Sequence, residues 1–106
     1  MFETYASQFY TNANAIALAD ASVRYVVSRT STVTGRPLSE SPAILAWELA
    51  NEPRGEGHYD EYHTWVQRTA ALIKSLDPNH LVTIGSEGTT PHAHVGTDVV
   101  ADHSLK

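Results

Sequence analysis

The residues best suited to catalysis stand together at Asn51-Glu52-Pro53. They directly follow residues 43–49, a nearly continuous apolar run about as long as a β-strand. Such runs suit strands that are covered on both faces, as in parallel sheets. Glu52 is therefore expected at the carboxyl end of a strand that Pro53 terminates. A carboxyl group held there could donate and accept protons during catalysis.

The strand before Glu52 should present two different faces. A period of two predicts one face large enough to pack against helices, formed by Leu45, Trp47 and Leu49. The opposite face suits a crowded interior and consists of Ile44, Ala46, Glu48, Ala50 and Glu52. We interpret Glu48 as a structural, buried carboxylate. A bulge near Asn51 would change this alternation.

Two amphipathic helices should flank this strand. The first is predicted over residues 12–29, where apolar residues recur at helical spacing and Thr11 or Asn12 offers an N-cap oxygen. The second is predicted from about Tyr59 to Leu76 and is followed by Pro78, which breaks helices.

A second short strand over residues 81–84 completes the order helix, strand, helix, strand, which is typical of an α/β fold. We expect residues 43–49 to pair in parallel with 81–85, because the helix between them is long enough for a crossover. Such crossovers are right-handed.

Composition excludes several classes of protein. The 106 residues include no cysteine, so neither a disulfide framework nor a thiolate metal site is available. The formal charge is 7 − 12 = −5 with scattered basic residues, which argues against nucleic acid or an anionic membrane as partner. No apolar run approaches the roughly 20 residues that span a bilayer. The first five residues do not resemble a signal peptide.

The run Trp47-Glu48-Leu49-Ala50-Asn51-Glu52-Pro53-Arg54 resembles the fourth-strand motif of glycoside hydrolase family five. Four further stretches are similar to its β-mannanase branch: Val33-Thr34-Gly35-Arg36-Pro37, Ser41-Pro42-Ala43-Ile44, Leu76-Asp77-Pro78-Asn79-His80 and Gly85-Ser86-Glu87-Gly88. The likeness covers about residues 9–90. Asn-Glu-Pro alone recurs by chance, but its place after a buried strand and the ordered matches make the combination specific.

The resemblance implies a (β/α)8 barrel, of which residues 1–106 would supply the part from about the third helix to just after the fifth strand. It implies that Glu52 is the general acid/base and that Asn51 binds the sugar 2-hydroxyl. It further implies β-1,4-mannan or a related polysaccharide as substrate, no cofactor, and a secreted parent enzyme.

Retaining glycosidases need two carboxyl groups. In the family the nucleophilic glutamate lies on strand seven, and an active-site arginine lies on the first three strands. We expect these parts outside the 106 residues, so the isolated chain should be inactive and its partner should be the remainder of the barrel.

Two alternatives stay open. The parent could be another family-five enzyme, a β-glucanase or cellulase, because specificity lies in loops mostly outside this chain. The chain could instead be a non-catalytic α/β module that binds a partner through exposed strand edges.

Other polar and aromatic residues invite weaker interpretations. Glu87 follows the second strand, so it could contact substrate or serve only in its loop. The histidines His92, His94 and His103 are too few and lack a convincing further ligand, so we predict no metal site. Trp47 and Trp65 are expected to be core residues.

Overall fold

The computed structural model describes residues 2–86. Its elements are the helix α1 (Phe2–Ala6), a 3₁₀ turn (Ser7–Thr11), α2 (Ala13–Val27), a second 3₁₀ turn (Leu38–Glu40), β1 (Ala46–Glu48), α3 (Tyr59–Leu76) and β2 (Leu81–Thr83). The predicted order helix, strand, helix, strand is confirmed. The sequence prediction did not include α1 or the 3₁₀ turn that follows it.

Both long helices begin and end for local reasons. The side chain of Asn12 caps α2 by accepting a hydrogen bond from the amide of Ala15, at 3.0 Å. The helix α3 spans the predicted residues and carries Asp60 and Glu61 in its first turn and Lys74 in its last, as the helix dipole favours. Asp77 follows its last residue and donates its amide to the carbonyl of Ile73, at 2.8 Å.

The two strands pair in parallel, as predicted, with α3 between them in sequence. Ala46 pairs with Leu81, Trp47 with Val82 and Glu48 with Thr83. The pairing therefore brings the residues that follow β1 next to those that follow β2, because parallel strands end at the same edge of a sheet.

The predicted alternation along β1 is only partly correct. Trp47 and Leu49 pack against the core as expected, but the side chain of Leu45 is 79% exposed. Leu45 lies just before β1, where its carbonyl pairs with the amide of Leu81 but no described element covers its side chain.

The alternation also breaks directly after Leu49. Both Leu49 and Ala50 donate their amides to the second strand, to the carbonyls of Thr83 (2.9 Å) and Ile84 (3.3 Å). In a regular strand, alternate residues would face the same neighbour. As a result, Ala50 joins Leu49 in packing against the core instead of pointing away from it.

The core consists of two clusters, and α3 contributes to both. One is formed by Tyr62, Trp65, Val66 and Ile84, and the other by Val27, Ala70, Ile73 and Val82. Phe9 and Tyr10 close the first cluster with edge-to-face contacts to Trp65 and Tyr62, at ring-centroid distances of 5.6 and 5.1 Å. Trp65 is thus a core residue, as predicted.

A buried polar cluster, formed by Asp77, Trp47, His80 and Ser41, joins the corner between α3 and β2 to β1. Asp77 accepts hydrogen bonds from the Trp47 indole at 2.7 Å and from His80 Nδ1 at 2.6 Å, both on Oδ2. Its Oδ1 accepts from the amides of Asn79 and His80. The other ring nitrogen of His80 lies 2.8 Å from the carbonyl of Ser41.

This polar cluster holds an ion pair. Both ring nitrogens of His80 face acceptors, the Asp77 carboxylate and the Ser41 carbonyl, and only the imidazolium can donate to both. The hydrogen bond to Asp77, followed by that to Ser41, raises the pKa of His80. Burial alone would raise the pKa of Asp77, but the hydrogen bonds from Trp47, His80 and the two amides outweigh it and lower that pKa from 3.8 to about 2.

Candidate active site

Glu52 lies where the sequence places it, at the carboxyl end of the β1 segment. Its side chain is exposed, and its backbone adopts a left-handed conformation with φ of 47°. It is the one residue other than glycine within 2–86 with a positive φ. This conformation costs an ordinary side chain of the order of 1 kcal/mol or more, so other contacts must hold it.

The contact that holds Glu52 comes from Gly85, two residues beyond the end of β2. The amide of Glu52 donates to the carbonyl of Gly85 at 2.9 Å. Gly85 is itself left-handed, with φ of 83°. Beside it lies the carboxylate of Glu48. Glu48 is exposed within the described structure, so the expectation that it is buried is wrong for these residues.

A cleft of about 350 Å³ opens beside Glu52. Asn51 and Glu52 line it together with Phe2, Ala6 and Tyr10 from the segment before α2. Burial, and then the neighbouring Tyr62, raises the pKa of Tyr10 to about 12, so its hydroxyl stays neutral at ordinary pH. The cleft therefore offers an amide, a carboxyl group and an aromatic wall, groups that suit a polyhydroxylated ligand.

Asn51 and Glu52 both line this cleft. Glu87, His92, His94 and His103 lie outside the described residues. Within residues 2–86, no group of three or more histidine, aspartate or glutamate side chains could hold a metal ion.

A membrane-spanning helix would have to be both long and strongly apolar. None of the described helices combines the length and the apolar character that crossing a bilayer requires.

The sequence did not indicate Gly85 as part of the site, nor Phe2 and Tyr10 as lining residues of the cleft. Gly85 carried a signal, since a glycine directly after a strand marks a close approach of two backbones. No comparable signal marked Phe2 and Tyr10, because their position depends on how the segment before α2 packs on α3.

Comparison with known proteins decides the family. A family profile described as "GH family 5 beta-mannosidase-like" matches residues 1–105. The chain belongs to glycoside hydrolase family 5. A curated relative, mannan endo-1,4-beta-mannosidase 5 of Solanum lycopersicum, is 37% identical over 111 residues. That alignment covers 92% of this chain and 27% of the relative.

Two more members of the family support the assignment. Mannan endo-1,4-beta-mannosidase F of Aspergillus clavatus is 46% identical over 83 residues, which are 77% of this chain and 17% of that protein. The solved structure of an endo-β-1,4-mannanase from Thermotoga petrophila superposes with a TM-score of 0.72 at 39% identity, over 77% of this chain and 18% of that one. The family-five chain thus spans less than a third of the length of these relatives, and its fold is part of an α/β barrel with parallel strands.

Proposed function

We propose that this chain supplies the general acid/base segment of a retaining endo-β-1,4-mannanase, with Glu52 as that acid/base. The observation that carries the proposal is the position of Glu52. It follows Asn51 at the end of β1, is held by a backbone hydrogen bond in an uncommon conformation, and lines a cleft. The names of the similar proteins, mannan endo-1,4-beta-mannosidases, support mannan as the substrate.

The proposed chemistry assigns two steps to Glu52. It first protonates the oxygen that leaves the glycosidic bond while a second carboxylate attacks the anomeric carbon, and it then removes a proton from the water that releases the sugar. Asn51 would hydrogen-bond the 2-hydroxyl, an interaction that strengthens as positive charge develops on the sugar ring.

The second carboxylate must stand about 5–5.5 Å from Glu52 in a retaining enzyme. By the family's pattern it lies on a later strand than β2. We therefore propose that residues 1–106 correspond to the stretch from about the third helix to just after the fifth strand of the barrel. The 106-residue chain by itself should not hydrolyse mannan.

The remainder of the barrel would also change the surroundings of Glu52. Its side chain is exposed in the described structure, whereas a general acid works best when water is partly excluded and its proton is retained. Strands on either side of β1 and β2 would cover it. Because mannan is a polymer too large to enter cells, we further propose that the complete enzyme acts outside the cell.

Replacing Glu52 in the complete enzyme tests the proposal. We expect E52A to lower kcat/KM on mannan by about 10²–10⁴-fold, because the poor leaving group loses its proton donor. An aryl β-mannoside with an activated leaving group needs little protonation, so its kcat/KM should fall far less. Its kcat should drop, because water loses its general base, and azide should restore it.

The matched control is E61A, which removes an exposed glutamate from the first turn of α3 and should keep both activities. Near-normal hydrolysis of mannan by E52A would refute the role of Glu52. Equal loss on both substrates without azide rescue would instead indicate a nucleophile. Faster turnover of cellulose or mixed β-glucan than of mannan by the unmodified enzyme would contradict the proposal that mannan is the substrate.

A further inference from the structure

The carbonyl of Gly85 is the described partner of the Glu52 amide, and it belongs to a different strand segment, 33 positions later in the chain (85 − 52 = 33). The amides of Leu49 and Ala50 pair with the residues just before Gly85. The last bond of this series therefore fixes where the chain turns at Glu52. Since Glu52 is left-handed, its side-chain direction depends on that turn being kept.

Gly85 can make this contact only because it has no side chain. A Cβ at this position would collide with the backbone carbonyl oxygen of Ala50 and with the side chain of Glu48. The Glu48 side chain could rotate away, but the Ala50 carbonyl belongs to the strand segment that carries Glu52. The φ of 83° at Gly85 adds a second barrier to any L-residue.

We propose that Gly85 is a positioning residue for Glu52: its bare backbone lets the end of β2 approach Ala50 closely enough for its carbonyl to hold the Glu52 amide. This inference rests on the proposed role of Glu52 as general acid/base. A side chain at residue 85 would push the two segments apart at Ala50 and so displace the carboxyl group of Glu52.

Displacement of the Glu52 carboxyl group should affect two kinds of substrate differently, whereas loss of stability should affect both equally. A displaced acid hampers departure of a sugar leaving group, which needs protonation, much more than departure of an activated aryl group. Partial unfolding lowers the amount of enzyme and so reduces both rates by the same factor. The ratio of the two kcat/KM values therefore separates misplacement of Glu52 from a merely structural effect.

The test compares G85A with G35A in the complete enzyme. Gly35 also has a positive φ, of 70°, but a Cβ there would meet no atom within 4 Å. We expect G85A to lower kcat/KM on mannan by about 10²-fold, as misplacements near 1 Å can do, and to change kcat/KM on the activated aryl β-mannoside only slightly. G35A should keep the ratio of the unmodified enzyme.

A second variant, E48A/G85A, removes the side-chain half of the collision and leaves the collision with the Ala50 carbonyl. It should show the same altered ratio. Equal losses on both substrates in G85A and in the double variant, including complete loss of both activities, would overturn the positioning role. If E52A itself retains mannan hydrolysis, the proposed function fails; if E52A shows the acid/base pattern and G85A does not alter the ratio, only this inference fails.

Discussion

Among single residues, Asp77 makes the largest number of described polar contacts. It is fully buried and accepts from the Trp47 indole, the His80 ring and two backbone amides. Each carboxylate oxygen of Asp77 thereby accepts two hydrogen bonds. A carboxylate buried in this way is stable only while all its donors remain, since an unpaired buried charge is costly.

We expect D77N to be strongly destabilising even though it barely changes the volume. If the amide nitrogen takes the Oδ2 position, a donor faces the donors of Trp47 and His80, and His80 loses its counter-ion. The free energy of unfolding should fall by about 3 kcal/mol or more. Urea titration of the complete enzyme at one matched protein concentration measures this change.

The control for D77N is E40Q, which neutralises an exposed carboxylate in the second 3₁₀ turn. It should change the free energy of unfolding by less than about 0.5 kcal/mol. A D77N chain as stable as E40Q would show that the described hydrogen bonds contribute little.

At the scale of elements, the polar cluster of Asp77, Trp47, His80 and Ser41 ties three segments together. The carboxylate stands at the end of α3, the indole comes from β1, and the Ser41 carbonyl belongs to the segment before β1. The cluster lies at the edge of the sheet where the strands begin, and Glu52 lies where they end. In barrels of this architecture the first edge serves stability and the second serves catalysis.

The cluster should make stability depend on pH in two windows. The lowered pKa of Asp77 stabilises the fold above the usual value of 3.8, and this contribution is lost as the pH falls toward about 2. The raised pKa of His80 stabilises the fold below the usual value of 6.5, and this contribution is lost as the pH rises through the folded-state pKa. Stability from this cluster should therefore peak between 3.8 and 6.5.

The free energy of unfolding, measured across pH, checks the direction of the pH dependence that Asp77 and His80 each contribute. On the alkaline side His80 holds a proton in the folded state that it has released in the unfolded state, so the free energy of unfolding falls as the pH rises. H80Q should flatten this dependence. H63Q, which removes an imidazole from α3, serves as control. ¹⁵N chemical shifts of His80 at pH 6 should show two protonated ring nitrogens. One unprotonated nitrogen at that pH would contradict the ion pair. Lys74, whose ammonium donates to the His80 carbonyl at 2.8 Å, opposes the imidazolium and limits the shift.

At the scale of the whole molecule, the described part has more apolar surface than its three helices and two strands cover. In residues 2–86 the sheet consists of β1 and β2 alone, so each strand has one unpaired edge. Several large apolar side chains are more than two-thirds exposed: Phe2, Tyr5, Leu18, Tyr25, Val33 and Leu45. Open edges and exposed apolar side chains favour association with another chain.

We therefore expect the 106-residue chain, expressed by itself, to be marginally stable or to self-associate. Sedimentation velocity over a range of concentrations should show species larger than the monomer, or the thermal transition should be broad and depend on concentration. A monomer with a sharp transition that is independent of concentration would contradict this expectation. L45K, which adds a charge at the exposed position just before β1, should reduce association, whereas V33K in the exposed loop after α2 is the control.

The sequence by itself determined the features that depend on neighbouring residues. The bounds of α3, a polar cap for α2 at Thr11 or Asn12, the order of the elements and the position of Glu52 after a strand all follow from periodicity, turn residues and one motif. Each of these signals lies within one element, where side-chain spacing and backbone hydrogen bonding are set locally.

Only the tertiary structure decided the contacts between elements. The Asp77 bond to Trp47 joins residues 30 apart, and the His80 bond to Ser41 joins residues 39 apart. The exposure of Leu45, the break in alternation after Leu49 and the contact of Gly85 with Glu52 likewise depend on how β1 and β2 meet. The register of two strands joined by an 18-residue helix is set by how that helix packs on both, and no local pattern in either strand encodes that packing.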